Sequence, residues 1–196
     1  MDLSAIITYA MVASFTPGPN NIISMTHARN QGFRSTFPFI SGVAAGCLLI
    51  MLMSSYFNLA LYHYIPKITP VLNVFGCIYM LYLAFMIMKK NASTGRESKS
   101  EQRKHFSFWF GFTLQLINPK VILYGLTALS VFVLPHTQSH QQFLYYSLLL
   151  TLIGISANLS WALGGHLLQQ FLLKYERPFH ICMGLLLILT AFSLIK

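Results

Sequence analysis

The chemistry of this chain concentrates on Lys120. It lies in "LQLINPKVILYG", residues 114–125, inside an apolar run. The four acids, Asp2, Glu97, Glu101 and Glu176, fall at termini or in loops, so no carboxylate shares its depth. A buried charge needs a partner. A small solute bearing a carboxylate would supply one, with the amides of Asn118, Asn20 and Asn21 bonding its other polar groups. Two further readings stay open: desolvation leaves the amine neutral, or the long stem reaches the headgroups. Tyr124, one turn on along the same helix face, can hydrogen-bond into the same space.

A second interruption stands about a hundred residues upstream, in "SFTPGPNNI", residues 14–22. Pro17 and Pro19 bring no backbone N–H, and their rings clash with the preceding turn. Gly18, without a Cβ, permits close backbone approach or a positive φ. Carbonyls around Phe15 and Thr16 therefore lose their helical donors. Backbone of this kind is tolerated at membrane depth only against protein or a watered cavity. Asn20 and Asn21 can satisfy some of the freed groups or face a ligand. The helix restarting near Asn21 would aim its positive end at the same spot, an attractor for an anionic group. A single proline would read as a kink. Two prolines, a glycine and two asparagines in five residues read as a ligand or gating element comprising Thr16, Pro17, Gly18, Pro19, Asn20 and Asn21. Asn118, Pro119, Lys120 and Tyr124 form its counterpart. Asn158, in "GISANLSWALGG", is either an interhelical hydrogen bond or part of the cavity lining. Gly42 and Gly46 form a small-xxx-small pair suited to helix packing.

The elements that must hold these residues are membrane spans. Of 196 residues, 55% are hydrophobic and 9% charged, where a soluble domain carries about a quarter charged. Hydropathy and breakers predict six spans: Leu3–Met25, Phe37–Tyr62, Ile68–Met88, Phe106–Val133, Gln142–Leu163 and Phe179–Ile195. "YIPKITP", residues 64–70, reads as the turn between the second and third, and "LPHTQSHQQ", residues 134–142, separates the fourth and fifth. The fold class is thus an all-α integral membrane protein, a single membrane domain over 1–196. Its one long hydrophilic stretch, residues 89–105, is a basic loop dividing a three-span half, 1–88, from another, 106–196.

Each half opens with an interrupted span, the breaks falling roughly 18–20 Å inward from its start. A three-span unit crosses an odd number of times, so a second copy must be inserted upside down. Two inverted three-helix repeats, with helices 1 and 4 broken near the membrane interior, are the plan of secondary transporters. Ten Lys or Arg residues fall in the loops joining spans one to two, three to four and five to six, against Lys67 and Lys196 on the other side. Basic excess marks the cytoplasmic side, so both termini are expected outside.

The net charge of +9 suggests nucleic acid, but its basic residues sit in short loops at span ends, where they set topology. Cys47, Cys77 and Cys182 fall inside apolar segments, which argues against a disulfide framework. The first span lacks a basic residue ahead of it and does not read as a cleaved leader. A lipid-modifying enzyme would need carboxylate or histidine clusters, or a nucleophile–base pair, in the spans. A channel would need a continuous polar stripe, and direct use of ATP a phosphate-binding loop. None is visible, and no cofactor or metal is expected. A scaffold has no use for Lys120. His27 and His166, near span ends, can titrate near neutral pH, and Lys120 can itself exchange a proton.

"FTPGPNNI" with the following "HARNQGFRSTFPFISGVAAG", and "FWFGFTLQLINPKVILYGLTALSVFVLP", residues 108–135, resemble the two signatures of the lysine exporter superfamily in its homoserine/threonine exporter-like branch. With the basic middle loop and "SANLSWALGGHLLQQFL", the likeness covers nearly the full length. It implies a six-span bacterial inner-membrane exporter of small amino acids, driven by the proton gradient. The implied cargo is cysteine or O-acetylserine, with homoserine, threonine or leucine as the alternative. Pro17 to Asn21 and Asn118 to Lys120 take the places of the family's two motifs.

Overall fold

A computed structural model describes residues 3–61, 65–89, 107–137 and 139–193. All regular structure among them is helical. The predicted basic loop, apart from Lys89, lies outside the described residues.

The first predicted span is two helices, α1 (Leu3–Phe15) and α2 (Pro19–Gln31). Helix α2 restarts at Pro19, two residues before the expected Asn21, because proline suits a first helical position where its missing N–H would have no partner anyway. A short 3₁₀ turn, Arg34–Thr36, leads into α3 (Phe37–Leu61). Helix α4 spans Ile65–Lys89 and contains Pro70. The turn expected over residues 64–70 is therefore mostly helix. Pro66 falls in the first turn, where no donor is lost, and Pro70 removes a single ladder bond.

The fourth predicted span is also two pieces, α5 (Phe108–Leu116) and α6 (Pro119–Thr127), the latter continuing as a π-helical turn, Ala128–Val133. The two parts bend by 61° at the break. Helix α7 (His140–Leu167), the short α8 (Gln169–Lys174) and α9 (Glu176–Ser193) complete the chain. By length and composition two helical stretches, Arg34–Tyr56 and His140–Leu167, can each cross a membrane, and the bent pair makes a third. Leu3–Phe15, Cys77–Lys89 and Arg177–Phe192 are shorter apolar helices. Outward-facing apolar side chains such as Phe85, Trp109, Leu152 and Leu189, all well over half exposed, suit a lipid surround.

Helix α3 packs mainly on α5 and α7, α7 also on α2 and α1, and α4 on α9. Small residues make the closest approaches. A Cβ on Gly42 of α3 would strike the Phe108 carbonyl, one on Gly111 of α5 the Phe39 carbonyl, and one on Gly165 of α7 the Met25 carbonyl. Backbone-to-backbone contact of this kind suits helices in lipid, where no hydrophobic force drives them together. The main core gathers Ile6, Met51, Leu129, Phe143 and Leu150 from α1, α3, the π turn and α7.

Candidate functional site

The break between α1 and α2 sets free a run of carbonyls, and each acquires a side-chain donor. Asn21 Nδ2 donates to the carbonyls of Ser14 at 2.8 Å and Thr16 at 3.0 Å. Trp161 Nε1, on α7, reaches the Phe15 carbonyl at 3.2 Å. Thr190 Oγ1, on α9, donates to the Pro17 carbonyl at 3.2 Å. The fourth donor is Lys120, from the break between α5 and α6. Its Nζ lies 2.9 Å from the Thr16 carbonyl oxygen and 3.3 Å from that of Pro17. A lysine expected to lack a partner is thus held by the carbonyls that the helix break opposite leaves without helical donors.

Gly18 makes that meeting possible. Its φ of −161° and ψ of 171° are extended, so the positive φ foreseen as one use of this glycine is not adopted. The glycine is needed for closeness, because a Cβ would stand 3.0 Å from Lys120 Nζ and 3.1 Å from its Cδ.

The second break is capped locally. Asn118 is the N-cap of α6, its side chain accepting from the Lys120 backbone N–H at 3.1 Å, with Pro119 following as the first helical residue. Lysine two residues into a helix is electrostatically misplaced, since the N-terminus carries partial positive charge. Its side chain escapes to the C-terminal end of α1, where the dipole and the freed carbonyls favour a cation.

These groups border a cavity of about 50 Å³. One water needs at least roughly 10–15 Å³ on such a measure, so the space takes a few water-sized groups. Gly18, Pro19, Asn20 and Asn21 line it from one break, and Asn118, Lys120 and Tyr124 from the other. Thr16 and Pro17 lie behind the lining and touch Lys120 through their carbonyls, while Pro119 also stays out of it. Asn158 is elsewhere: its Oδ1 accepts from Ser24 Oγ at 3.1 Å and its Nδ2 donates to the Gly154 carbonyl, joining α7 to α2. Tyr124 donates its hydroxyl to the Leu150 carbonyl at 3.1 Å and stacks on Tyr9. His27 and His166 do not line the cavity; His27 Nε2 sits 3.2 Å from the Ser35 carbonyl.

Gln115 was missed by reasoning from sequence. Only 2% exposed, it lines the cavity and its Oε1 accepts from Asn20 Nδ2, which joins the two breaks a second time. An amide three residues ahead of Asn118, in the same apolar run, was the available signal. Trp161 and Thr190 carried none, since each is an ordinary residue in a span until the fold brings it to a bare carbonyl. Asn20 Oδ1 is buried and has no hydrogen-bond donor among the described residues.

The chain matches the LysE type translocator family over residues 11–196. It is 40% identical over 189 residues to the cysteine/O-acetylserine efflux protein of Escherichia coli O139:H28, covering 96% of this chain and 95% of that one. The proteins of the same name from Escherichia coli K12 and Shigella flexneri serotype 5b are each 39% identical over the same shares. No solved structure matches the chain. A family match from residue 11 to the last, on a helical chain whose two proline breaks share one cavity, places this protein in the LysE type translocator family.

Proposed function

We propose that the chain is a secondary exporter of small amino acids, cysteine and O-acetylserine first among them, moving them outward across the bacterial inner membrane in exchange for protons. The observation that carries the reading is the meeting of the two breaks: Lys120 of one spans a small cavity to the Thr16 and Pro17 carbonyls of the other. A cation and several amides around one small cavity suit a zwitterion. The relatives' names point to cysteine and O-acetylserine as that zwitterion. No bond is made or broken; the cavity is exposed to each side in turn.

The matching architecture is six spans in two inverted halves, 1–88 and 106–196, on either side of the basic loop. Three features support it. Both halves open with a broken span whose second helix starts on proline, at Pro19 and Pro119. The second span packs on the fourth as the fifth packs on the first, and the third packs on the sixth. Ten basic residues against two assign the loop to the cytoplasm and both termini to the outside. Within the site, Thr16, Pro17 and Gly18 receive Lys120, while Pro19, Asn20, Asn21, Asn118 and Tyr124 shape the cavity. Pro119 starts the helix that carries the lysine, and Asn158 steadies α7 against α2. With no Asp or Glu in any predicted span, Lys120 is the group assigned the proton exchange.

Efflux of radiolabelled cysteine and O-acetylserine from proteoliposomes under an imposed pH gradient tests this, beside Lys120→Met. Saturable, gradient-dependent efflux abolished by the substitution is the expected result. Full efflux by a folded variant would remove Lys120 from the mechanism. Failure of the wild type on both compounds would overturn the named cargo and send the assay to threonine, homoserine and leucine.

A further inference from the structure

We infer that the carbonyls of Thr16 and Pro17, with Asn20 Oδ1, form a subsite for the α-ammonium of the cargo, and that Lys120 Nζ is its tethered occupant in the empty carrier. The inference rests on the exporter reading above and adds what the cavity recognises.

A primary ammonium already sits on the two carbonyls. Lys120 Nζ is 2.9 Å from one carbonyl and 3.3 Å from the other. An amino acid presents the same –NH₃⁺ group, and its carboxylate is the ion that a displaced lysine needs. Asn20 supplies an independent sign. Its Oδ1 is an acceptor on a cavity-lining side chain only 6% exposed, and it has no donor among the described residues. A buried acceptor left bare is costly, and an ammonium has three N–H groups to give.

Field and geometry agree on which end of the zwitterion goes where. The C-terminal end of α1 (13 residues) presents negative partial charge and free carbonyls to the ammonium. The N-termini of α2 and α6, at Pro19 and Pro119, present positive charge toward a carboxylate. Lys120, rooted at the start of α6, turns from carbonyl to carboxylate by side-chain rotation, its root staying in place. Hydrogen bonds lost by Nζ are regained by the cargo amine, so the exchange proceeds without exposing a bare charge. The subsite therefore demands a free α-amine and ignores acylation elsewhere on the molecule.

N-Acetylserine and O-acetylserine are isomers that differ in whether the amine is free, which makes them a matched pair of probes. In wild-type proteoliposomes, N-acetylserine should compete against labelled O-acetylserine at least about tenfold less well than unlabelled O-acetylserine does, the effect of losing charge-assisted hydrogen bonds. Equal competition overturns the ammonium subsite and leaves the exporter reading standing. A second measurement does not depend on transport. In purified Lys120→Met, ethylammonium chloride should raise the unfolding temperature where tetramethylammonium chloride, which cannot donate, does not; the wild type, already filled, should respond to neither. A variant indifferent to ethylammonium overturns the subsite. Should the wild type export neither cysteine nor O-acetylserine, nor threonine, homoserine or leucine, the exporter reading falls, and stabilisation of the variant by ethylammonium alone would still uphold the subsite.

Discussion

Gly18→Ala adds one methyl group at the point where the two helix breaks meet. The backbone accepts it, because φ −161° and ψ 171° are open to any residue. The new Cβ would lie 3.0 Å from Lys120 Nζ, 3.1 Å from Cδ and 3.6 Å from Cε. Ordinary contacts settle at about 3.5–4.0 Å, so Nζ must retreat by roughly 0.5 Å. The Pro17 contact, 3.3 Å at the start, then stretches to about 3.8 Å, outside hydrogen-bonding range. The 2.9 Å bond to Thr16 is lengthened but kept. Losing one of two bonds to a charged donor is worth about 1–2 kcal/mol, roughly 5- to 30-fold.

The same methyl narrows the space in which the cargo ammonium would sit, so the loss falls on the empty and the loaded carrier alike and nearly cancels from KM. It should show instead as a lowered unfolding temperature, with far-UV circular dichroism unchanged. A double-mutant cycle on unfolding temperature isolates the contact: with Lys120→Ala in the background, the methyl meets no lysine stem and its destabilisation should vanish. A wild-type unfolding temperature in Gly18→Ala, or strict additivity in the cycle, would refute the argument that Gly18 exists to admit the lysine.

Two neighbouring glycines on α7 should respond with opposite signs. Gly165→Ala drives a Cβ into the Met25 carbonyl of α2 and should destabilise by about 1–3 kcal/mol. Gly164→Ala meets nothing within 4 Å and should stabilise by about 0.5–1 kcal/mol, both read as shifts in unfolding temperature in detergent. Trp161→Phe keeps an aromatic ring, though a smaller one, and strips the Phe15 carbonyl of its donor at 3.2 Å. It should cost about 1–3 kcal/mol, and unchanged stability would mean that this carbonyl needs no protein donor.

Local sequence announced the breaks and concealed their partners. Two prolines around Gly18, and Asn118-Pro119 ahead of Lys120, interrupt a helix whatever surrounds them, because a missing N–H is a property of the residue. A lysine in an apolar run is equally visible. What holds each freed carbonyl is a matter of tertiary placement: Lys120, Trp161 and Thr190 arrive from 103, 146 and 173 residues along the chain. Nothing in their local pattern marks them as caps. Pro66 and Pro70 show the converse, since punctuation strong enough to predict a turn is absorbed by α4. One proline falls in a first turn, where the N–H is spare, and the other costs a single bond that tertiary packing can outweigh. Asn158 read equally well as glue or lining, and only its bonds to Ser24 and Gly154 place it at a helix contact.

The exchange inferred at Lys120 also sets the strength of binding. The cargo ammonium gains the Thr16 and Pro17 carbonyls, and Nζ loses them, so that part of the free energy nearly cancels. What remains is the new pair between the lysine and the carboxylate, a charge-assisted contact worth about 1.5–3 kcal/mol net. The Asn20 acceptor, once filled, contributes about 1 kcal/mol more. Against these stands the lost freedom of a small solute confined in the cavity. The two gains sum to about 2.5–4 kcal/mol before that cost, so binding is no tighter than a Kd of about 1 mM. Wild-type proteoliposomes should therefore saturate with O-acetylserine only in the millimolar range or above. Lys120→Met should hold the decarboxylated amine cysteamine more tightly than the wild type does, because no tethered ammonium has to be displaced. Saturation at about 1 μM would demand some 4 kcal/mol beyond this sum, and would mean that Lys120 is never displaced from the carbonyls.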